Sequence, residues 1–184
     1  MIGYRITGRL PGVSINAEGS EQARGLIHLR PAVIFSSPLE RAVETATPLA
    51  DRLGLPIHIN EAFNEVHFGD WSGLTLQELE SVPGWKLFNQ FRSSYRLPGG
   101  ELMLEVQRRV VDEMARIARE HPDRTVAVFS HADVIKSAVS HYIGAPLDLM
   151  DRIEIHPASV TRITLYEWGV KIFSVNERLW DNRS

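Results

Sequence analysis

The chain has 184 residues, with 20 Lys and Arg against 23 Asp and Glu, a net charge of −3 and a pI near 6.2. Hydrophobic residues make up 43% and charged residues 23%, which is ordinary globular composition and argues against disorder. That balance gives no basic footprint for nucleic acid, no apolar run is long enough for a membrane helix, and the absence of Cys removes disulfides, thiolate catalysis and Cys-based metal sites. A single domain in the cytoplasm is the expectation, since the length fits one core and nothing at the N-terminus resembles a signal peptide.

Residues 1–12 carry Gly3, Gly8, Pro11 and Gly12 and are expected to be a loop. Glu18 to Leu29 has helical spacing, with Ala23, Leu26 and Ile27 on one side. Ala32 to Ser36 is a short β-rich run and predicts a buried strand. Ser37-Pro38 follows, with Ser as a natural N-cap and Pro suited to the first helical position, so a helix is expected to Leu53 with Gly54 as its stop. Leu55 to Ile59 predicts a second strand, and Phe63 to Gly73 a loop.

Short helices are expected at Thr75–Ser81 and Trp85–Phe91, and Leu97-Pro98-Gly99-Gly100 breaks the chain. Met103, Val106, Val110, Met114 and Ile117 recur at three or four residues, predicting an amphipathic helix from Glu101 to Glu120. Thr125–Phe129 predicts a third strand, followed by a helix from Ala132 or Asp133 to Tyr142 that stops at Gly144. Ser159–Tyr166 and Lys171–Val175 look like a hairpin. Strands alternating with helices imply an α/β fold: a three-layer α/β/α sandwich on a mostly parallel sheet, with chemistry at the strand C-termini.

Three residues stand out on position. Arg41 lies in the first turn of a helix that follows a strand directly, where a guanidinium beside free N–H groups makes an anion site. The plain alternative is a surface Arg paired with Glu40 or Glu44. His131 ends a buried strand and points toward the usual ligand crevice; otherwise it is a structural His capping the next helix. Glu65 lies in a loop with Phe68 and Trp71, where its carboxyl can be pushed up to serve as an acid; otherwise it is solvated. His67 and Trp71 are expected to pack, and Glu101 opens a helix, where the dipole favours an acid. The seven His form no His-Glu-x-x-His pattern, so a metal site is not expected, and no nucleotide-binding glycine loop is present.

Taken in order, these segments resemble the histidine phosphatase superfamily, the phosphoglycerate-mutase-like proteins. SSPLERAVETATPLA is similar to that family's Ser-Ser-x-Leu-x-Arg-Ala-x-x-Thr-Ala segment, which makes Arg41 the phosphoryl-binding Arg. NEVHFGDWSGLT is similar to its Glu-x-x-Phe-Gly-x-Trp-x-Gly loop, which makes Glu65 the proton donor. LPGGELMLEV resembles the Pro-Gly-Gly-Glu-Ser opening of the long helix, with Leu102 in place of Ser, and VAVFSHADVIKSAV resembles the Ser-His-Gly-x-x-Ile unit, with Ala132 in place of Gly. That unit makes His131 the second His of the pocket.

The resemblance implies a phosphomonoester phosphatase working through phosphohistidine on a small phosphorylated metabolite, with no metal or organic cofactor. Glu101, Arg92 and Tyr95 are added as pocket candidates, since the segment Val82–Leu97 is expected to line or cover the site. The family's opening strand, ending in Arg-His-Gly with the nucleophile, has no counterpart, because no His follows an Arg. The expectation is a native start upstream of Met1. The alternatives are a catalytically inactive phosphate-ester binder, a phosphoglycerate mutase, or an unrelated α/β interaction protein with chance motifs. Oligomeric state is not readable.

Overall fold

The computed structural model describes residues 5–180. Helix α1, Ala17–Arg24, is capped by Asn16, whose side chain accepts the Gly19 N–H, and it tightens into a 3₁₀ turn at Gly25–His28. Strand β1, Val33–Ser36, leads to helix α2, Glu40–Leu53, and then to strand β2, Ile57–Ile59. The loop that follows contains 3₁₀ turns at Glu61–Phe63 and Gly69–Trp71. Two short helices come next, α3 at Leu76–Glu80 and α4 at Trp85–Gln90. Helix α5, Met103–Glu120, precedes strand β3, Val126–Phe129, and helix α6, Ala132–Ile143. A 3₁₀ stretch at Leu147–Arg152 connects to strands β4, Val160–Tyr166, and β5, Gly169–Glu177.

The sheet order explains where the core sits. Strand β1 is central, parallel to β2 on one side and to β3 on the other. Alternate residues of β1 face opposite layers, as strand geometry requires. Ile34 joins Leu26, Ala46, Leu49, Ala50 and Phe129 on the side of α2. Phe35 joins Met103, Val106, Val110, Val134 and Ala138 on the side of α5 and α6. This is the expected α/β/α layering.

The sheet is not continuous. Strands β4 and β5 form a separate antiparallel pair, so among the described residues β3 and β4 each keep one edge without a strand partner. Ala127, next to Phe129 on β3, and Val160, which opens β4, pack against the same apolar cluster. Unpaired edges of this kind are normally covered or blunted.

Several local expectations shift. The long helix starts at Met103, two residues after Glu101, and Glu105 rather than Glu101 accepts the Leu102 N–H at 3.0 Å. Helix α2 starts at Glu40, not at Pro38, and its N-cap Leu39 has no side-chain bond. Ser37 is fully buried and turned elsewhere, as described below. His67 is exposed rather than packed, whereas Trp71 is buried against Trp85, Phe88 and Tyr95.

Candidate functional site

The C-terminal ends of β1 and β3 bring three elements together. The Ser37 N–H donates to the Phe129 carbonyl at 2.9 Å, so the chain leaving β1 stays beside the end of β3. Ser130 Oγ donates to the Phe63 carbonyl at 2.8 Å, tying the Glu65 loop to the same place. Arg41, Glu65 and His131, three residues far apart in sequence, thereby converge. An Arg41 guanidinium nitrogen lies 3.9 Å from Glu65 Oε2, and His131 Nδ1 lies 3.7 Å from the same oxygen.

Arg41 is not a surface residue paired with its helix neighbours. Glu40 and Glu44 accept the backbone N–H groups of Gly12 and Ile15 instead, at 2.9 and 2.8 Å. One Arg41 terminal nitrogen donates to the Gly8 carbonyl at 2.8 Å. The other is buried and has no hydrogen-bond acceptor. Burial lowers the Arg41 pKa from its ordinary value, opposed by the Glu65 and Glu40 carboxylates.

The Glu65 carboxyl is pushed up to about 7, first by burial and then by the negative charge of Asp133. Its bond from the Val66 N–H, at 2.9 Å, and the charges of Arg41 and Arg109 work the other way. The His131 ring is pushed down to about 3, first by burial and then by Arg41, Arg109 and Arg9. It is therefore neutral at pH 7, and its approach to Glu65 is not an ion pair there. His131 Nε2 lies 2.8 Å from Ser37 Oγ, which also accepts the Leu39 N–H at 3.3 Å.

The Glu65 backbone is clamped from behind. Its carbonyl accepts Arg9 Nε at 2.7 Å and an Arg109 terminal N–H at 3.2 Å. The Glu101 carboxylate bridges those two arginines, 3.0 Å from Arg9 and 3.1 Å from Arg109, and accepts the His67 N–H at 2.8 Å. Glu101, expected at the pocket, is thus bound into the support of the Glu65 loop.

The loop also lies directly on the Pro-Gly-Gly turn. Asp70 N–H donates to the Pro98 carbonyl at 2.9 Å and Glu101 N–H to the His67 carbonyl at 2.9 Å. Gly69 makes this approach possible: a Cβ there would lie 2.0 Å from the Pro98 oxygen, and its φ of +56° suits glycine.

The remaining pocket candidates sit apart from this trio. Tyr95 stacks on Trp71 with ring centroids 6.1 Å apart. Arg92 is buried, with its guanidinium 4.4 Å over the Phe88 ring and ion pairs to Asp133 at 3.5 Å and Asp151 at 2.6 Å. A surface cavity of about 520 Å³ on α3 and α4, lined by Glu80, Trp85, Lys86, Asn89 and Gln90, involves none of the three converging residues. Ser37, Arg9, Arg109 and Asp133 are the site neighbours that the sequence did not single out. Ser37 stands in the Ser-Ser-Pro run, where its caps-like signal masked it.

The histidine phosphatase superfamily (branch 1) profile matches residues 4–178. The chain belongs to the histidine phosphatase superfamily. Glucosyl-3-phosphoglycerate phosphatase of Mycolicibacterium vanbaalenii is 30% identical over 158 residues, which span 79% of this chain and 70% of that protein. Among solved structures, Bacillus stearothermophilus YhfR superposes with a TM-score of 0.88 at 25% identity, covering 95% of this chain and 89% of its own. The mycobacterial glucosyl-3-phosphoglycerate phosphatase superposes with a TM-score of 0.85 at 25% identity, covering 96% and 92%. This histidine phosphatase chain therefore shares a phosphoglycerate-mutase-like fold and a resemblance to phosphatases.

Proposed function

We propose that this histidine phosphatase chain carries the phosphoester site of a phosphomonoesterase. Arg41 holds the phosphoryl group, His131 donates an N–H to it, and Glu65 protonates the departing alcohol. The observation that carries the reading is the buried Arg41 nitrogen without an acceptor, next to a neutral imidazole and a carboxyl pushed up to about 7. A buried guanidinium N–H left unpaired is costly, and a phosphoryl oxygen is the acceptor it lacks. A carboxyl with a pKa near the working pH is suited to general-acid transfer.

The covalent step needs a second histidine. The rings of His58 and His121 lie against Phe35, and that of His141 against Tyr142. Among the described residues no hydrogen bond or ion pair joins another His ring to Arg41, Glu65 or His131. The reading therefore includes a histidine on a strand that completes the sheet between the open edges of β3 and β4. Its ring nitrogen bonds to phosphorus as the ester C–O–P bond to the alcohol oxygen breaks at phosphorus, and that oxygen takes the Glu65 proton. Water then attacks phosphorus and gives a proton to the Glu65 carboxylate as the N–P bond breaks, releasing phosphate and freeing the ring. The substrate is a small phosphorylated metabolite, as the relatives' names support, and the reading places the protein in the cytoplasm, uses no metal and treats residues 1–184 as one domain.

A second reading, binding of phosphate esters without turnover, is favoured by the same lack of a second His ring at the site. A mutase is less well supported, because the stretch from Trp71 to Pro98 is short for retaining a phosphorylated intermediate.

Hydrolysis of an aryl phosphate and equilibrium binding of inorganic phosphate together test the proposal. Both readings require phosphate binding that Arg41→Ala weakens; no binding, or no effect, refutes them together. The intact mass of the protein from its own cells separates them. A mass of 20.8 kDa leads to the binder. A mass larger by a strand and short motif, on the order of 10–15 residues, with turnover lost in His131→Ala, supports the phosphatase.

A further inference from the structure

The hydroxyl of Ser37 has a single place to send its proton. Its backbone is fixed by the bond from its N–H to the Phe129 carbonyl at 2.9 Å, and its side chain is fully buried. Ser37 Oγ accepts the Leu39 N–H at 3.3 Å, where the chain turns into α2. Among the described residues its one other hydrogen-bond contact is with His131 Nε2 at 2.8 Å. A hydroxyl carries one proton and two lone pairs. Were Nε2 protonated, two N–H groups would donate to Oγ and the hydroxyl proton would be left in the interior without an acceptor, which is costly. With Nε2 bare, every group is satisfied: the Leu39 N–H donates to Oγ, and the hydroxyl donates to Nε2.

The state of the other ring nitrogen follows. The His131 ring is neutral at pH 7, and a neutral imidazole has one N–H and one bare nitrogen, so a bare Nε2 puts the proton on Nδ1. Among the described residues Nδ1 makes no hydrogen bond; Glu65 Oε2, 3.7 Å away, is out of range. That oxygen is also the one approached by Arg41, at 3.9 Å, so Nδ1 lies on the side of the ring that faces the converging groups. Phosphoryl oxygens only accept hydrogen bonds, and a bare Nδ1 would offer them nothing.

We propose that Ser37 is a positioning residue: by donating its hydroxyl proton to His131 Nε2 it holds the ring as the Nδ1–H tautomer, which turns an N–H donor toward a phosphoryl oxygen held at Arg41. This rests on the reading of Arg41, Glu65 and His131 as a phosphoester site. The same tautomer protects the acid. A bare Nδ1 beside Glu65 could take up the carboxyl proton, whereas a protonated one cannot, so that proton stays available for the leaving alcohol.

Nitrogen NMR of isotope-labelled imidazole rings at pH 7 reads the tautomer without any ligand, with His131 assigned from the spectrum of His131→Asn. The expected wild-type ring is protonated at Nδ1 and bare at Nε2. In Ser37→Ala the ratio of the Nδ1–H to the Nε2–H form should fall at least about fivefold, in keeping with one lost hydrogen bond. Ser37→Cys, with a weaker donor of similar size, should move the same way and replaces the alanine variant if that does not fold. The other His rings, unshifted in both variants, report an intact fold. Calorimetry with inorganic phosphate at the same pH should show affinity falling with the fraction of rings that leave the Nδ1–H form. A wild-type ring protonated at Nε2, a ratio unchanged in the variants, or an affinity that does not follow that fraction overturns the proposal while leaving the phosphoester site standing. Wild-type protein that binds no inorganic phosphate removes the site, and the proposal with it, whatever the tautomer.

Discussion

On the proposed reading, binding of a divalent anion at Arg41 should be coupled to the proton on Glu65. When Glu65 is ionised, a dianion about 5 Å away meets repulsion of roughly 3 kcal/mol for each of its charges at an effective dielectric of about 20. That exceeds a hundredfold in affinity, so only the protonated site binds appreciably. With Glu65 at about 7, the apparent dissociation constant scales as one plus ten to the power of pH minus pKa. Between pH 6 and pH 8 it should rise about tenfold, or roughly 1.4 kcal/mol. Sulfate is the probe, because it stays divalent across that window whereas phosphate titrates within it. The window opens at pH 6 because a bound dianion raises the His131 pKa and adds its own proton uptake lower down. Calorimetry on Glu65→Gln, a neutral isostere, should give a dissociation constant that is flat within about twofold over the same range and matches the wild type at pH 6. A flat wild type, or a Glu65→Gln variant that keeps the tenfold slope, refutes the coupling.

Stability should report the His131 environment directly. Its folded value of about 3 lies below the ordinary 6.5, so the unfolded chain takes up its proton first and stability falls as pH drops from 6.5 toward 3. The steepest loss from this group is about 1.4 kcal/mol per pH unit, and chemical denaturation of His131→Asn should lack that contribution. Gly69→Ala forces a Cβ against the Pro98 carbonyl at a positive φ, and should cost at least about 2 kcal/mol. A urea midpoint within error of the wild type would count against the tight loop packing. Arg92→Met strips the counter-charge from Asp133, leaves Asp151 with Lys136, and should cost about 3 kcal/mol. Amide exchange should accelerate across residues 82–97, and unchanged exchange there would mean that Arg92 does not hold this segment.

The parts of this fold legible in the sequence are those whose signal is local. The runs at β1 and β3 are short, apolar and followed at once by helix-starting residues, so the two strand–helix units and the residues just beyond them, Arg41 and His131, follow from pattern. The hairpin of β4 and β5 is equally local. Glu65 needed the motif, because nothing in a loop says which carboxylate will be buried. Ser37 was hidden because Ser-Pro before a helix has the same signature whether the hydroxyl caps the helix or turns inward. Only the 2.8 Å contact of its Oγ with His131 Nε2, from a residue far along the chain, decides that. Arg9 and Arg109 gave no signal for a related reason. An arginine in a glycine-rich loop, like Arg9, or on an amphipathic helix, like Arg109, looks solvated until a distant loop lays a carbonyl over it, as the Glu65 loop does here. Glu101 shows the converse: the dipole argument places an acid near a helix start, but the helix begins two residues later and the carboxylate is free to bridge two arginines.

Burial is the first cause of the opposite displacements of the two titrating groups, since it disfavours the charged form of each. Three arginines, Arg9, Arg41 and Arg109, crowd a neutral imidazole and depress it. The same three would be expected to depress Glu65 as well, yet its carboxyl is raised. Arg9 and Arg109 turn toward the Glu65 carbonyl and the Glu101 carboxylate, and the lowering of the Glu65 carboxyl by Arg41 and Arg109 is smaller than its raising by burial and Asp133. Arg41 approaches that side chain only to 3.9 Å. Burial and Asp133 then prevail at Glu65, whereas at His131 burial and positive charge act in the same direction. The result is a site that holds a proton on the carboxyl and withholds one from the imidazole near pH 7. On the proposed reading, an arriving phosphoryl group should raise the His131 pKa, since its negative charge offsets the Arg41 charge that depresses the ring.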